Sequence, residues 1–298
     1  MDSAISILSL YIFVAIGFIA KKTLKEKLDE KTLVKLNVYF LLPMLAFWGL
    51  LTQKIDFGII KTPFIYAFIF TFFLVIASFF AKKIFKDPKD IAIASISSVT
   101  GVTGSIGIPL GITLIGEKSV IYTSLINTMS MFLVYTLGVY IYSRGNFSIK
   151  KSIVNVFKMP IIWASFLAMI LNLSEISIHP SLFKSLEMGA YSAIVMQLVV
   201  FGIFLHDSKL STINYRLLGF VGGFKFIIIP VFTFFILLYM HLHKTELDSI
   251  LLEMIVPLAI TNVSLASIFD CKPKEVTTLV FVTSLIFIPY VIVLKLFF

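Results

Sequence analysis

The chain is a succession of long apolar stretches separated by short polar connectors. Crossing the hydrocarbon core of a bilayer takes about 20 apolar residues in a helix. The pattern therefore predicts an all-α polytopic membrane protein with ten transmembrane helices and no soluble domain. The ten stretches lie near residues 3–21, 33–52, 62–81, 90–115, 119–143, 157–173, 182–206, 214–240, 248–269 and 274–297.

Composition supports a membrane environment. Of the 298 residues, 59% are hydrophobic and 14% are charged, and the mean hydropathy is +1.02. Soluble domains are typically about 45–50% apolar and about 25% charged. The first stretch lacks a basic segment before it and a cleavage site after it, so we interpret it as a retained span.

The basic residues predict the orientation. Alternate connectors carry 18 of the 25 lysines and arginines, and the opposite connectors carry five. Since positive loops stay on the cytoplasmic side, we expect both termini outside a plasma (inner) membrane. The net charge of +9 then reflects topology and contact with membrane lipid, so nucleic acid is not an expected partner. In the basic connector near residues 21–35, a solvated loop is favoured over an interfacial helix.

Two stretches contain residues that interrupt helices. Residues 97–111 hold four glycines, several hydroxyls and Pro109, and residues 256–264 repeat the theme around Pro257. Proline removes a backbone hydrogen bond, and glycine costs about 1 kcal/mol relative to alanine inside a helix. A break in lipid is tolerated only where it faces protein or a wet cavity.

The two prolines lie 148 residues apart, half the chain length, each in the fourth span of a five-span half. An odd number of spans per half requires the second half to be inverted. We therefore predict a five-plus-five inverted repeat with broken fourth and ninth helices crossing at Pro109 and Pro257. Its parts are residues 1–143, a cytoplasmic connector at 144–156, and residues 157–298.

Paired interrupted helices at matching positions indicate a transporter binding site. New helix amino termini expose unpaired N–H groups, which attract anions. The alternative is a kink with close packing at Gly107 and Gly111. The substrate-binding candidates from the two breaks and the seventh span are Thr103, Gly104, Ser105, Gly107, Pro109, Gln197, Pro257, Thr261 and Asn262.

Two charged residues inside spans are candidates for a counter-charge or for coupling. Lys225 either balances an anion or extends to the interface. Glu253, placed at the start of the ninth span, either takes up a proton or is stabilised by the helix dipole. Asn262 and Thr261 have hydrogen bonding between helices as their alternative role, which is the role expected of Asn127.

Enzyme and metal chemistry find little support. The four histidines lie near span ends or in connectors, and neither a nucleophile–base pair nor a metal motif can be assembled with them. The sequence also contains no Gly-rich phosphate-binding loop with a lysine. The single cysteine, Cys271, excludes an internal disulfide and a cysteine metal site. We therefore expect no cofactor, no metal and no catalytic residues.

Several short motifs lie along the chain. They are Gly104–Leu110, Lys158–Ser165, Phe201-Gly202, Lys225 with Ile229-Pro230, Pro257–Ala266, Pro273 and Pro289. In their order and spacing these motifs resemble the auxin efflux carrier family, which includes plant PIN proteins and bacterial malate or malonate permeases, and the resemblance covers essentially the whole chain. In many members an asparagine stands where this chain has Val102, and that position joins the site candidates.

This resemblance implies a scaffold part, a transport part, an elevator-type motion and a homodimer. It implies a secondary transporter of small organic anions such as malate, malonate or an auxin-like acid. Two alternatives stay open: a sodium-coupled bile-acid-type symporter, and a sensor that binds an anion without transporting it.

Overall fold

A computed structural model describes residues 2–52, 61–207 and 214–294. Lys54, Lys209 and Lys295, which enter the charge distribution, lie outside these ranges. Every regular element in them is helical. The helices are α1 (Asp2–Leu24), α2 (Glu30–Leu51), α3 (Lys61–Ile84), α4 (Pro88–Val99), α5 (Ile108–Leu114), α6 (Ser119–Arg144), α7 (Ile149–Phe157), α8 (Pro160–Leu173), α9 (Pro180–Asp207), α10 (Tyr215–Leu238), α11 (Lys244–Ile255), α12 (Thr261–Ile268) and α13 (Pro273–Leu294).

Within the described ranges, α2, α3, α6, α9 and α10 are long and apolar enough to cross a membrane. The pair α7 and α8, bent by 51°, makes a sixth candidate if it is counted as one span. The prediction of an all-α polytopic membrane protein is confirmed at this level. Ten spans stay a prediction.

Wide π-helical turns precede three of the prolines. Proline has no N–H, and its ring clashes with the carbonyl of the preceding turn, so an unwidened helix is disfavoured there. The first amide after each turn instead donates to the carbonyl five residues earlier. The turns are Asn37–Leu41 before Pro43, Thr103–Gly107 before Pro109, and Phe224–Ile228 before Pro230.

The backbone leaves helical geometry at two places that meet in space. Helix α4 ends at Val99 and the π turn before α5 begins at Thr103, while α11 ends at Ile255 and α12 begins at Thr261. The N–H of Val102 donates to the carbonyl of Pro257 at 2.9 Å. We call residues 100–102 and 256–260 the two interruptions. Pro109 lies beyond the first of them, near the start of α5.

The helices pack in two groups. In the first, α1, α2, α8 and α9 lie against one another; in the second, α3 packs on α4 and α6, and α10 and α11 join them. The helices α1 and α9 approach through glycine: a Cβ on Gly17 would overlap the carbonyl of Val199, and one on Gly202 that of Val14. Small residues allow this close backbone approach between apolar helices.

Two connectors differ from the prediction. Helix α1 continues to Leu24 and α2 starts at Glu30, capped by the Asp29 side chain, so the predicted basic loop is mostly helical. The connector predicted at 144–156 contains most of α7, whose first turn is capped by Ser148. A polar cap followed by an amphipathic face was sufficient to form a helix there, although its lysines suggested a plain loop.

Candidate functional site

A cavity of about 340 Å³ lies beside the two interruptions. Its wall comes from both helix groups, because α2 and α9 form one side and α6 with the interruptions forms the other. The lining residues are Leu42, Leu45, Trp48, Gly101, Val102, Thr103, Gly104, Ile108, Asn127, Ser130, Met131, Val134, Tyr135, Tyr191, Ile194, Gln197, Leu198, Ala259, Ile260 and Thr261.

Two helices start on this wall. Thr103 is the first residue of the π turn that leads into α5, and Thr261 is the first residue of α12. The first N–H groups of a helix have no partner inside it, and the helix dipole places partial positive charge there. Two helix starts therefore contribute to the wall of one cavity, and at α12 the amides of Asn262 and Val263 donate to the carbonyls of Ala259 and Ile260.

Asn127 presents a polar group to the cavity from α6. The Thr103 hydroxyl donates to its Oδ1 at 2.8 Å, and a Cβ at position 104 would come within 2.9 Å of the same oxygen. Glycine at 104 thus makes room for the amide. Because Oδ1 accepts a hydrogen bond, the side-chain N–H groups of Asn127 are left as donors on the wall.

Gln197 joins the two helix groups across the cavity. Its Nε2 donates to the Thr261 hydroxyl at 2.7 Å, so α9 contacts the first residue of α12. The buried hydroxyl of Tyr135 lies close enough to the Thr261 side chain to interact with it.

The described lining residues include no charged side chain. The wall offers amide and hydroxyl groups, two helix amino termini and a large apolar surface. Such a surface suits a small anion whose charge is met by dipoles and whose remaining atoms are apolar. Within the described residues no cluster of three or more histidine, cysteine or acidic side chains suits a metal ion.

The candidates predicted from the sequence divide into two sets. Val102, Thr103, Gly104, Gln197 and Thr261 line the cavity. Gly107, Pro109, Pro257 and Asn262 do not, and the side chain of Ser105 lies outside the described residues.

Asn262 holds the interruptions together instead. It is fully buried, accepts from the Tyr142 hydroxyl at 3.0 Å, and donates to Thr100 Oγ1 at 2.8 Å and to the Ala259 carbonyl at 2.9 Å. These bonds connect α6, the first interruption and the second. The amide of Asn262 is thus engaged by other parts of the protein, and its contacts are those of the alternative role, hydrogen bonding between helices.

The sequence interpretation missed part of the wall. Asn127 was assigned to helix packing, and Tyr135, Trp48 and Tyr191 were not singled out. A polar Asn127 one helix away from the fourth stretch was a usable signal. The aromatic residues carried none, because the chain contains 31 phenylalanines, 11 tyrosines and two tryptophans.

Lys225 and Glu253 are both buried and lie off the cavity wall. Lys225 is 0% exposed inside the π turn of α10, so it does not extend to the interface. Its ammonium lies near Gly101, and a Cβ added there would be 3.4 Å from Nζ. Glu253 lies in the last turn of α11, not at a helix start, so the dipole opposes its charge and the dipole explanation is wrong.

Comparison with known protein families gives one match. The profile of a family described as "Membrane transport protein" matches residues 3–295, which is nearly the full length. A comparison with curated proteins gave no match.

Proposed function

The chain belongs to the membrane transport protein family, the auxin efflux carrier group that its motifs resemble, and from this premise we propose that it is a secondary transporter of a small organic anion. Family membership makes it a membrane transporter, which is not an enzyme class. A malate or malonate subtype, or an auxin-like acid, belongs to the proposal.

One observation carries the anion proposal: two helix amino termini and several neutral donors meet at one uncharged cavity. N–H groups at helix ends bind carboxylates and phosphates without a cationic side chain. Ligand pockets commonly measure about 300–1,000 Å³, and about 340 Å³ is at the small end of that range. A small mono- or dicarboxylate fits this volume better than a bulky amphiphile.

The arrangement of helices supports an elevator-type cycle. The cavity lies between the two helix groups, so sliding one group against the other would carry the interruptions and their ligand across the membrane. The group of α1, α2, α8 and α9 would be the scaffold. A neutral contact such as that of Gln197 with Thr261 is suited to breaking and re-forming during such a movement.

We also propose the five-plus-five inverted repeat for this chain. In sequence, α4 with α5 and α11 with α12 each form one interrupted unit, and α7 with α8 forms one bent unit. Counting each unit as one span gives ten, with the interrupted units fourth and ninth. Both termini outside the plasma membrane follow from the charge distribution, and homodimer formation comes from the resemblance alone.

Lys225 is the proposed counter-charge for the anion. It is buried without a hydrogen-bond partner among the described residues and lies next to Gly101, which itself lines the cavity. An unpaired buried ammonium is costly, so a bound carboxylate would stabilise the protonated form of Lys225 through attraction in a medium of low dielectric constant.

Thermal unfolding of the purified protein in detergent tests the proposal. Malate, malonate, succinate and indole-3-acetate are screened against the uncharged amide of malonate. A ligand at 100 times its Kd adds about 2.7 kcal/mol of stability, which is readily seen. We expect a carboxylate to stabilise the protein and Gln197→Ala to weaken that effect. Ser192→Ala on the exposed side of α9, whose hydroxyl donates to the carbonyl of Met188, is the control.

Uptake of the stabilising anion into liposomes then separates transport from sensing. A stabilising anion that is never taken up would favour the sensor, and uptake that requires sodium would favour the sodium-coupled symporter. If no carboxylate stabilises the protein, the organic-anion proposal is overturned while family membership stands.

A further inference from the structure

Two acidic residues lie two turns apart on one face of α11 and have opposite surroundings. Glu246 and Glu253 are each 1% exposed. Glu246 accepts from the Thr62 hydroxyl at 2.6 Å and pairs with the Lys61 ammonium at 3.4 Å. Neither carboxyl oxygen of Glu253 has a hydrogen-bond partner among the described residues. The same helix thus holds one satisfied carboxylate and one carboxyl group without any partner.

An isolated buried carboxylate is too costly to persist, because taking an ionised group out of water without a partner requires many kcal/mol. The negative end of the α11 dipole adds to the cost, since Glu253 lies in the last turn. A carboxyl group in such a place is therefore held in its neutral, protonated form.

The groups around Glu253 supply no compensating positive charge. On α3, Tyr66 is the titratable side chain close enough to interact with it, and it is acidic rather than basic. On α10, the Lys225 Nζ lies near Gly101, and neither it nor the Glu253 carboxyl group has a hydrogen-bond partner among the described residues. Among the described residues no side chain forms a hydrogen bond or an ion pair with the Glu253 carboxyl group.

The carboxyl group is packed against the backbone of the π turn that leads out of the first interruption. A Cβ added to Gly107 would collide with both carboxyl oxygens. The cover over Glu253 is therefore the same short segment, Thr103–Gly107, whose first two residues line the cavity. A shift of this segment would open the carboxyl group to water.

We propose that Glu253 is a proton-carrying site, which holds its proton while the Thr103–Gly107 turn covers it and exchanges the proton with water when that turn shifts away from α11. The step forms or breaks one O–H bond of the carboxyl group, with water as the proton's donor or acceptor. This proposal rests on the proposed function, which supplies the small anion that is transported together with the proton. It makes the protein a proton-coupled transporter.

Infrared spectroscopy tests the site independently of any substrate. A protonated carboxylic acid has a carbonyl stretch that carboxylates and amides lack. At pH 7 we expect the wild type and Glu246→Gln to show a band that is missing in Glu253→Gln. Identical spectra for the wild type and Glu253→Gln would overturn the proposal. Size-exclusion profiles and thermal unfolding establish that each variant is folded.

Uptake of radiolabelled malonate into liposomes tests coupling. With the membrane potential clamped at zero, one proton carried per malonate concentrates it about tenfold per pH unit of inward proton gradient. We expect this for the wild type, Glu246→Gln and Glu253→Asp, which keeps an acid. Glu253→Gln should reach equal concentrations on both sides. Accumulation by Glu253→Gln at the wild-type level would overturn the proposal.

The two proposals fail in different ways. If the wild type takes up no malonate, the choice of substrate class is at fault, and the infrared band alone decides whether Glu253 carries a proton. If malonate is taken up but its accumulation does not depend on the pH gradient, the transporter proposal stands and the proton site is overturned.

Discussion

The backbone N–H of Val102 donates to the carbonyl of Pro257 at 2.9 Å. Each of these residues lies where its own helix is interrupted, so each interruption satisfies a polar group of the other. Unpaired backbone groups inside a membrane cost several kcal/mol each. The pair therefore explains how two breaks are stable together.

Asn262→Ala should destabilise the protein more than it alters binding. The substitution removes three hydrogen bonds and leaves the buried Tyr142 hydroxyl without its acceptor. We expect a loss of about 1–3 kcal/mol in the free energy of unfolding, measured by thermal or denaturant unfolding in detergent. Asn155→Ala, which loses one bond to Ser143, is the matched control. Equal losses in the two variants would contradict the tying role of Asn262.

Asn127→Leu should weaken anion binding, and it should also lower stability because the buried Thr103 hydroxyl loses its acceptor. Leucine has a similar size but offers no N–H donors to the cavity. Hydrogen bonds to charged groups contribute about 1.5–3 kcal/mol, so the Kd of the stabilising carboxylate should rise at least about tenfold. Ligand titrations followed by thermal shift measure this. Thr136→Val on the same helix, whose hydroxyl donates to backbone carbonyls of α6, should leave the Kd unchanged; an unchanged Kd in Asn127→Leu would remove Asn127 from the site.

Gly107→Ala should destabilise the protein through Glu253. The added methyl group collides with the carboxyl group, and overpacking of this kind typically costs about 1–3 kcal/mol. Replacing Glu253 by alanine in the same chain should recover most of the loss, which a double-mutant cycle of unfolding free energies detects. Gly222→Ala in α10, where a Cβ meets nothing within 4 Å, is the control. Additive losses would show that the contact is unimportant.

The ion pair between Asp87 and Lys272 should make stability depend on pH. The Lys272 ammonium lies 2.7 Å from Asp87 Oδ2, and this hydrogen bond holds the pKa of Asp87 below its ordinary value. A lowered folded-state pKa contributes stability above the unfolded-state pKa of about 3.9, and that contribution is lost as pH falls below it. Asp87 also caps α4, and asparagine caps equally well, so Asp87→Asn isolates the charge.

We expect Asp87→Asn to lower stability at pH 7 by less than about 1 kcal/mol, because the Asp87 side chain is 41% exposed and solvent weakens the pair. The difference from the wild type should shrink as pH falls below the unfolded-state pKa and through the lowered folded-state pKa of Asp87, which unfolding at several pH values measures. A difference that stays constant over this range would assign the effect to packing instead of charge.

Much of the helical framework was predictable because prolines and glycines act locally. The first interruption follows from the glycines and hydroxyls before Pro109, and the second from Pro257, without knowledge of any neighbour. The π turns before Pro43 and Pro230 obey the same local rule. Helix α7 was not predicted, because its lysines suggested a connector and the Ser148 cap at its start was overlooked.

The site was only partly predictable because its wall depends on which helices lie opposite each other. Thr103 and Thr261 were found from the interruptions themselves. Asn262 and Asn127 are alike in sequence terms, each an amide in an apolar span. Only the packing of α6 against both interruptions turns Asn262 inward toward Tyr142 and leaves Asn127 on the cavity. The contrast between Glu246 and Glu253 has the same origin, since Lys61 and Thr62 come from a distant helix.

The glycine crossing between α1 and α9 has a consequence for biogenesis. Gly17 and Gly202 bring two backbones into contact, yet they are separated by most of the chain. In the proposed ten-span arrangement α1 enters the bilayer first, and its main packing partner leaves the ribosome only after α8 has been made. The first helix inserted must therefore remain with its glycine face toward lipid until α9 arrives, which makes it one of the last to reach its native packing.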